Sequence, residues 1–86
     1  MIFEFDPQKS TSNKQKHLID FVEAQELWLD EHRIVFPAIT VDEPRFMLIG
    51  TIEGKLWSAI YTLRNENIRI ISVRRSRKEE IKLYEG

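Results

Sequence analysis

Apolar residues crowd into three runs in the C-terminal half of the chain, residues 45–52, 55–63 and 68–75, separated by short polar breaks. Each run is rich in β-branched, aromatic and aliphatic side chains, which predicts three strands in a meander. Glu53-Gly54 suits a two-residue hairpin loop, and Arg64-Asn-Glu-Asn67 supplies the second turn. Tight turns fix the register: Ile52 faces Lys55, Gly50 faces Trp57, Leu63 faces Ile68 and Trp57 faces Arg74. One face of the sheet then carries Phe46, Leu48, Trp57, Tyr61, Ile70 and Arg74. The other carries Met47, Ile49, Leu56, Ile60, Ile71 and Val73. Both faces are apolar at mid-strand, so both must be covered. The N-terminal helices can cover one; the C-terminal helix or a partner chain is needed for the other.

The N-terminal half is patterned differently. Residues 2–5 alternate as a short strand, and Asp6-Pro7 stops it with a good N-cap followed by a residue suited to the first helical position. Residues 7–16 are polar almost throughout, so a helix there has no apolar stripe to bury. Asp20 and Glu23 form a capping box, and Phe21, Ala24, Leu27 and Trp28 behind them follow helical spacing, which predicts a second helix. Residues 33–36 read as an edge strand ended by Pro37, and residues 40–44 as a loop. After the last strand, Ser76 and Glu79 predict a capping box, with Ile81 and Tyr84 as the stripe of a short C-terminal helix. The sum is an α+β domain spanning residues 1–86: a small antiparallel sheet of three to four strands plus a short N-terminal strand, two N-terminal helices and a C-terminal helix.

Composition narrows the functional classes. A chain of 86 residues supports one small core. With 31% charged residues and no long apolar run, it is expected to stay in the cytoplasm, away from membranes. There is no cysteine, which removes thiol nucleophiles and thiolate metal sites, and the two histidines, His17 and His32, are not spaced as a metal pair. No metal and no cofactor is expected. The net charge is only -1, yet its sign is uneven. Residues 64–82 hold seven Lys/Arg against three Glu, and residues 20–31 hold acids alone. Arg74, Arg75, Arg77 and Lys78 gather at the junction between the last strand and the last helix, where a helix N-terminus also favours anions. The plain alternative is a set of solvated charges that protect a strand from edge pairing.

Taken in order, Phe3-Glu-Phe-Asp-Pro7, Asn13-Lys-Gln-Lys-His17, Phe21-Val-Glu-Ala24, Arg45-Phe46 with Ile49-Gly50, Tyr61-Thr62, and Ile68-Arg-Ile-Ile-Ser-Val-Arg-Arg75 with Tyr84-Glu85 resemble the BrnT family. Members of that family are ribonuclease toxins of bacterial type II toxin–antitoxin systems. The resemblance implies a RelE-like fold and cleavage of messenger RNA that stops translation. It also implies neutralisation by a BrnA-like antitoxin, a ribbon-helix-helix protein. The pair would form a dimer of heterodimers and meet operator DNA only through the antitoxin. One position departs: Leu18 stands where the family usually has Gly. A glycine there ends the helix in a left-handed cap that Leu adopts only at a cost, so a different junction after His17 is expected.

Metal-free RNA cleavage needs a proton taken from the 2′-hydroxyl, a proton given to the leaving group, and charge stabilised on the phosphorane. Arginine suits the last task because its planar fork matches two phosphate oxygens. Arg74 and Arg75 are the first candidates. Arg64, carried by the resemblance, lies at the opposite end of the sheet, about 30 Å away in fully extended strands. For proton transfer the candidates are His17, an imidazole and so a common acid–base group, Tyr84, Glu79 and Tyr61. Tyr61 also reads as core, Glu79 as a capping acid, and His17 as a helix-end residue. Tyr84 can equally stack on a base or pack its helix on the sheet. Arg77, Lys78 and Arg69 are expected to hold the RNA backbone. Two other classes fit the same residues: a non-catalytic nucleic-acid-binding module, and a protein-docking subunit.

Overall fold

The computed structural model describes residues 1–39 and 42–86; of the loop expected over 40–44, Thr40 and Val41 lie outside the described residues. Its elements are β1 (Phe3–Glu4), α1 (Pro7–His17), a 3₁₀ helix (Glu23–Leu29), β2 (Ile34–Ala38), β3 (Arg45–Ile52), β4 (Lys55–Arg64), β5 (Asn67–Arg75) and α2 (Lys78–Glu85). The class is α+β. The described strands form one five-stranded sheet in the order β1-β5-β4-β3-β2.

Local chemistry explains most boundaries. Asp6 caps α1 by accepting from Gln8 N–H at 2.9 Å. The second capping box forms in full: Asp20 Oδ1 accepts from the amides of Val22 and Glu23, and Glu23 Oε1 accepts from Asp20 N–H. The element behind it winds as a 3₁₀ helix rather than the α-helix that the spacing suggested. Its tighter turn still buries Ala24, Leu27 and Trp28. Both hairpins close through two residues with positive φ, Glu53 (50°) with Gly54 (78°) and Asn65 (51°) with Glu66 (71°), the pattern of turns that match strand twist.

Four further expectations need correction. The sheet is mixed, because β1 runs parallel to β5, with Phe3 beside Ile68. The edge strand β2 continues through Pro37 to Ala38, which an edge allows because a missing N–H can face away from the ladder. Leu18 does take the left-handed cap, at φ 65°, and its N–H bonds to the Lys14 carbonyl at 3.0 Å.

The fourth correction concerns register. The β3–β4 pairing is the expected one throughout. The β4–β5 pairing is as expected at Leu63–Ile68 and Tyr61–Ile70, then slips by one residue at a bulge, so Ser58 faces Arg74 and Trp57 faces Arg75. Val73 therefore joins the core face and Arg74 leaves it.

That core face carries Leu48, Trp57, Ala59, Tyr61, Ile68, Ile70 and Val73 against Ile19, Phe21, Ala24, Leu27 and Trp28. Edge-to-face ring contacts link Phe3 to Trp28 (5.1 Å between centroids) and Trp28 to Tyr61 (5.2 Å). Gly50 lets the 3₁₀ helix approach: a Cβ there would stand 3.3 Å from the Leu27 carbonyl oxygen. α1 docks by polar atoms. Ser10 Oγ accepts from Phe21 N–H at 2.9 Å, and the Asn13 amide bonds both the N–H and the C=O of Val73. β1 pairs only with residues 68 and 69 of β5, so beyond it the Asn13 side chain serves Val73 as a neighbouring strand would.

Candidate functional site

The basic cluster sits where β5 ends beside the β3–β4 hairpin. Successive strand residues point to opposite faces, so Arg74 and Arg75, adjacent in sequence, open onto different surfaces. Arg75 is on the core face. Its guanidinium lies over the Trp57 ring, 5.4 Å from the centroid, and its Nε donates to the Leu56 carbonyl at 3.3 Å. Trp57, Leu18, Ile19, Glu23, Glu26, Ile52, Glu53 and Lys55 line an adjoining depression of about 220 Å³. His17, exposed at the end of α1, directly precedes Leu18 in that lining.

Arg74 is on the other face, under α2. It donates from Nη1 and Nη2 to the two carboxylate oxygens of Glu80, each at 2.8 Å. Glu80 also accepts from Ser58 Oγ at 2.9 Å and from Arg77 N–H at 2.8 Å, and Ser58 Oγ lies 2.8 Å from Ser76 Oγ. The Arg74 fork, with these smaller donors, outweighs burial and holds the Glu80 carboxyl down at about 2. The N-cap is thus Arg77 with Glu80 as the returning acid, one residue later than Ser76 and Glu79 suggested. An arginine has no acceptor, so only the acid's half of a capping box forms.

A second polar node fixes the far end of α2. Tyr84 donates its hydroxyl to Asp30 Oδ2 at 2.7 Å, and the same oxygen accepts from Thr51 N–H at 2.8 Å and Thr51 Oγ1 at 3.0 Å. His32 N–H bonds to Oδ1. Burial pushes the Asp30 carboxyl up, but the donors together outweigh it and hold the group at about 2. The Tyr84 hydroxyl is raised, first by its bond to Asp30 and then by burial.

The remaining candidates stand apart or in solvent. Arg77 and Lys78 are exposed at the start of α2. Arg69 pairs with Glu4 on β1 at 3.2 Å. Arg64 pairs with Glu43 at 3.7 Å at the other end of the sheet. From Ser58, the partner of Arg74, to Arg64 is about 20 Å along β4, shorter than the extended-strand expectation and still beyond the reach of one phosphate. Tyr61 belongs to the core, where burial raises its hydroxyl. The fold therefore gathers Arg74, Arg75, Arg77, Lys78 and Tyr84 around one end and leaves Arg64 and Arg69 outside it. Sequence reading missed Glu80, Ser58 and Asp30. Ser58, a hydroxyl inside an apolar run, was the available signal.

The family model for the ribonuclease toxin BrnT of type II toxin–antitoxin systems matches residues 5–80. The chain belongs to the BrnT toxin family. Family membership makes it a ribonuclease toxin with an antitoxin partner. The match ends at Glu80, so it takes in the whole Arg74 node and stops short of Tyr84. No curated relative matches this BrnT chain. Among the described residues, no helix is long and apolar enough to cross a membrane.

Proposed function

We propose that this BrnT toxin is a metal-independent endoribonuclease of the cytoplasm that cuts messenger RNA and so stops translation. It acts as one domain over residues 1–86 with a RelE-like fold. The observation that carries the reading is the family match across the strand-to-helix junction where the arginines gather. In this reading the 2′-hydroxyl attacks the adjacent phosphate in line, and arginine charge stabilises the phosphorane. Arg75, already over the Trp57 ring, meets one phosphate, while Arg77 and Lys78 steer the backbone. His17 serves as the proton carrier beside the Trp57 depression, and Tyr84, once free of Asp30, stacks on or protonates the substrate. Arg64 and Arg69 hold RNA that extends along the sheet. A BrnA-like ribbon-helix-helix antitoxin neutralises the toxin in a dimer of heterodimers by covering this basic end, where opposite charge speeds encounter.

The test is induced expression with and without the neighbouring antitoxin gene, scoring growth and RNA integrity. Growth arrest with cleaved RNA, relieved by the antitoxin, is expected. Unimpaired growth and intact RNA at full soluble expression would refute catalysis and leave a phosphate-gripping module.

A further inference from the structure

The surface under α2 is built as an anion site, and the anion it holds is part of the chain. A guanidinium fork, a hydroxyl and a backbone amide converge on the Glu80 carboxylate, with a second hydroxyl behind the first. This is the mixed donor set with which proteins hold phosphate oxygens. Ser58 is only 2% exposed, with Ile49 opposite it and Leu56 and Ile60 flanking it on the same face of its strand, so a donor stands where its immediate neighbours are apolar. The element that delivers Glu80 is weakly held. α2 has eight residues, each keeping some exposure, and a helix that short does not persist unsupported. Its docking rests on half-buried Ile81 and on two polar clamps, Glu80 at one end and Tyr84 with Asp30 at the other.

We infer that Arg74, Ser58 and Ser76 form a cradle for an RNA phosphodiester, and that Glu80 is an internal occupant which the phosphate displaces. The inference deepens the ribonuclease reading and rests on it for the identity of the ligand. A phosphodiester presents two non-bridging oxygens to the fork as a carboxylate does, so the exchange never leaves Arg74 unpaired in a half-buried place. Half-buried Ile81 keeps the helix against the sheet while Glu80 swings out. Arg75, on the opposite face, then grips a different phosphate, and the strand end holds the RNA at two points. A tethered carboxylate competes at an effective concentration of about millimolar, which restricts the cradle to ligands that bind elsewhere as well.

Glu80→Gln tests this directly. It keeps acceptors for Ser58 and Arg77 while removing the charge that occupies Arg74. The probes are an uncleavable 2′-deoxydinucleoside monophosphate and inorganic phosphate, titrated calorimetrically against protein whose thermal melt shows it folded. Affinity for the diester should rise at least about tenfold, the worth of a regained charge-assisted hydrogen bond, and the gain should vanish in Arg74→Ala/Glu80→Gln. Glu80→Asp, which retracts the carboxylate by one methylene, should give a smaller gain and serves if the glutamine variant melts. A folded variant with unchanged diester affinity, a gain that survives loss of Arg74, or a gain for inorganic phosphate alone would each overturn the inference. The probe cannot be cut, so its binding reads the cradle separately from ribonuclease activity.

Discussion

Replacing Asn13 with alanine should remove more stability than any other polar substitution in α1. The side chain is 7% exposed. Its Nδ2 donates to the Ile19 carbonyl at 2.9 Å and the Val73 carbonyl at 2.8 Å, and its Oδ1 accepts from Val73 N–H at 3.2 Å. Alanine would leave one buried N–H and two carbonyls without these partners. Each such group costs about 1–3 kcal/mol, with carbonyls toward the low end because of their second lone pair. The sum is about 3–5 kcal/mol, against a total of about 4–13 kcal/mol expected for a domain of this size. Urea unfolding followed by circular dichroism should show a much lower midpoint at unchanged slope, whereas exposed Gln15→Ala should change little. Asn13→Asp sharpens the test by setting a carboxylate oxygen against two carbonyl oxygens. Its carboxyl should be raised above its unfolded value, so the damage is full at neutral pH and is relieved as pH falls through the folded value and the acid becomes a donor. An alanine variant within about 1 kcal/mol of the parent would show that water replaces the amide. An aspartate variant as stable as the parent at neutral pH would refute the donor assignment.

Leu18→Gly should stabilise by about 1 kcal/mol, because the left-handed cap strains leucine more than glycine's extra unfolded-state freedom costs; a melt raised by a few degrees is the readout, and no rise counts against strain there. Arg75→Ala should abolish toxicity with the fold intact, and lysine should rescue poorly if stacking on Trp57 and fork geometry matter; growth at matched soluble expression decides. Acid should release α2 before the sheet melts. Asp30 and Glu80 both sit at about 2, below their ordinary 3.8 and 4.5, so their contribution is complete above about 4.5 and fades as pH falls toward 2. Hydrogen exchange of α2 amides across that range measures it, with Tyr84→Phe expected to shift the loss toward higher pH. RNA cleavage should survive excess EDTA and leave cyclic or 3′-phosphate ends; loss to chelator with rescue by magnesium would refute the metal-free chemistry.

Short-range chemistry was legible in the amino-acid order. The three main strands, both hairpin turns, the β3–β4 register and the Asp6 and Asp20 caps follow from residue type and spacing over a few positions. The basic junction was legible too, because charge clusters in sequence remain clustered at a strand end. What the order of residues left open depends on contacts distant in the chain. α1 has no apolar stripe, and only the fold reveals that Ser10 and Asn13 dock it through hydrogen bonds to residues 11 and 60 positions away. The bulge in β5 follows from packing, since Ile71 and Val73 look alike to a period-two pattern while only Val73 fits the core. That one-residue slip put Arg75 on the core face and Arg74 on the other, beneath α2. There Glu80, Ser58 and Ser76, separate in the chain, meet its guanidinium. Residue types declared an anion-loving end; tertiary packing alone decided which arginine is open and which already holds a carboxylate.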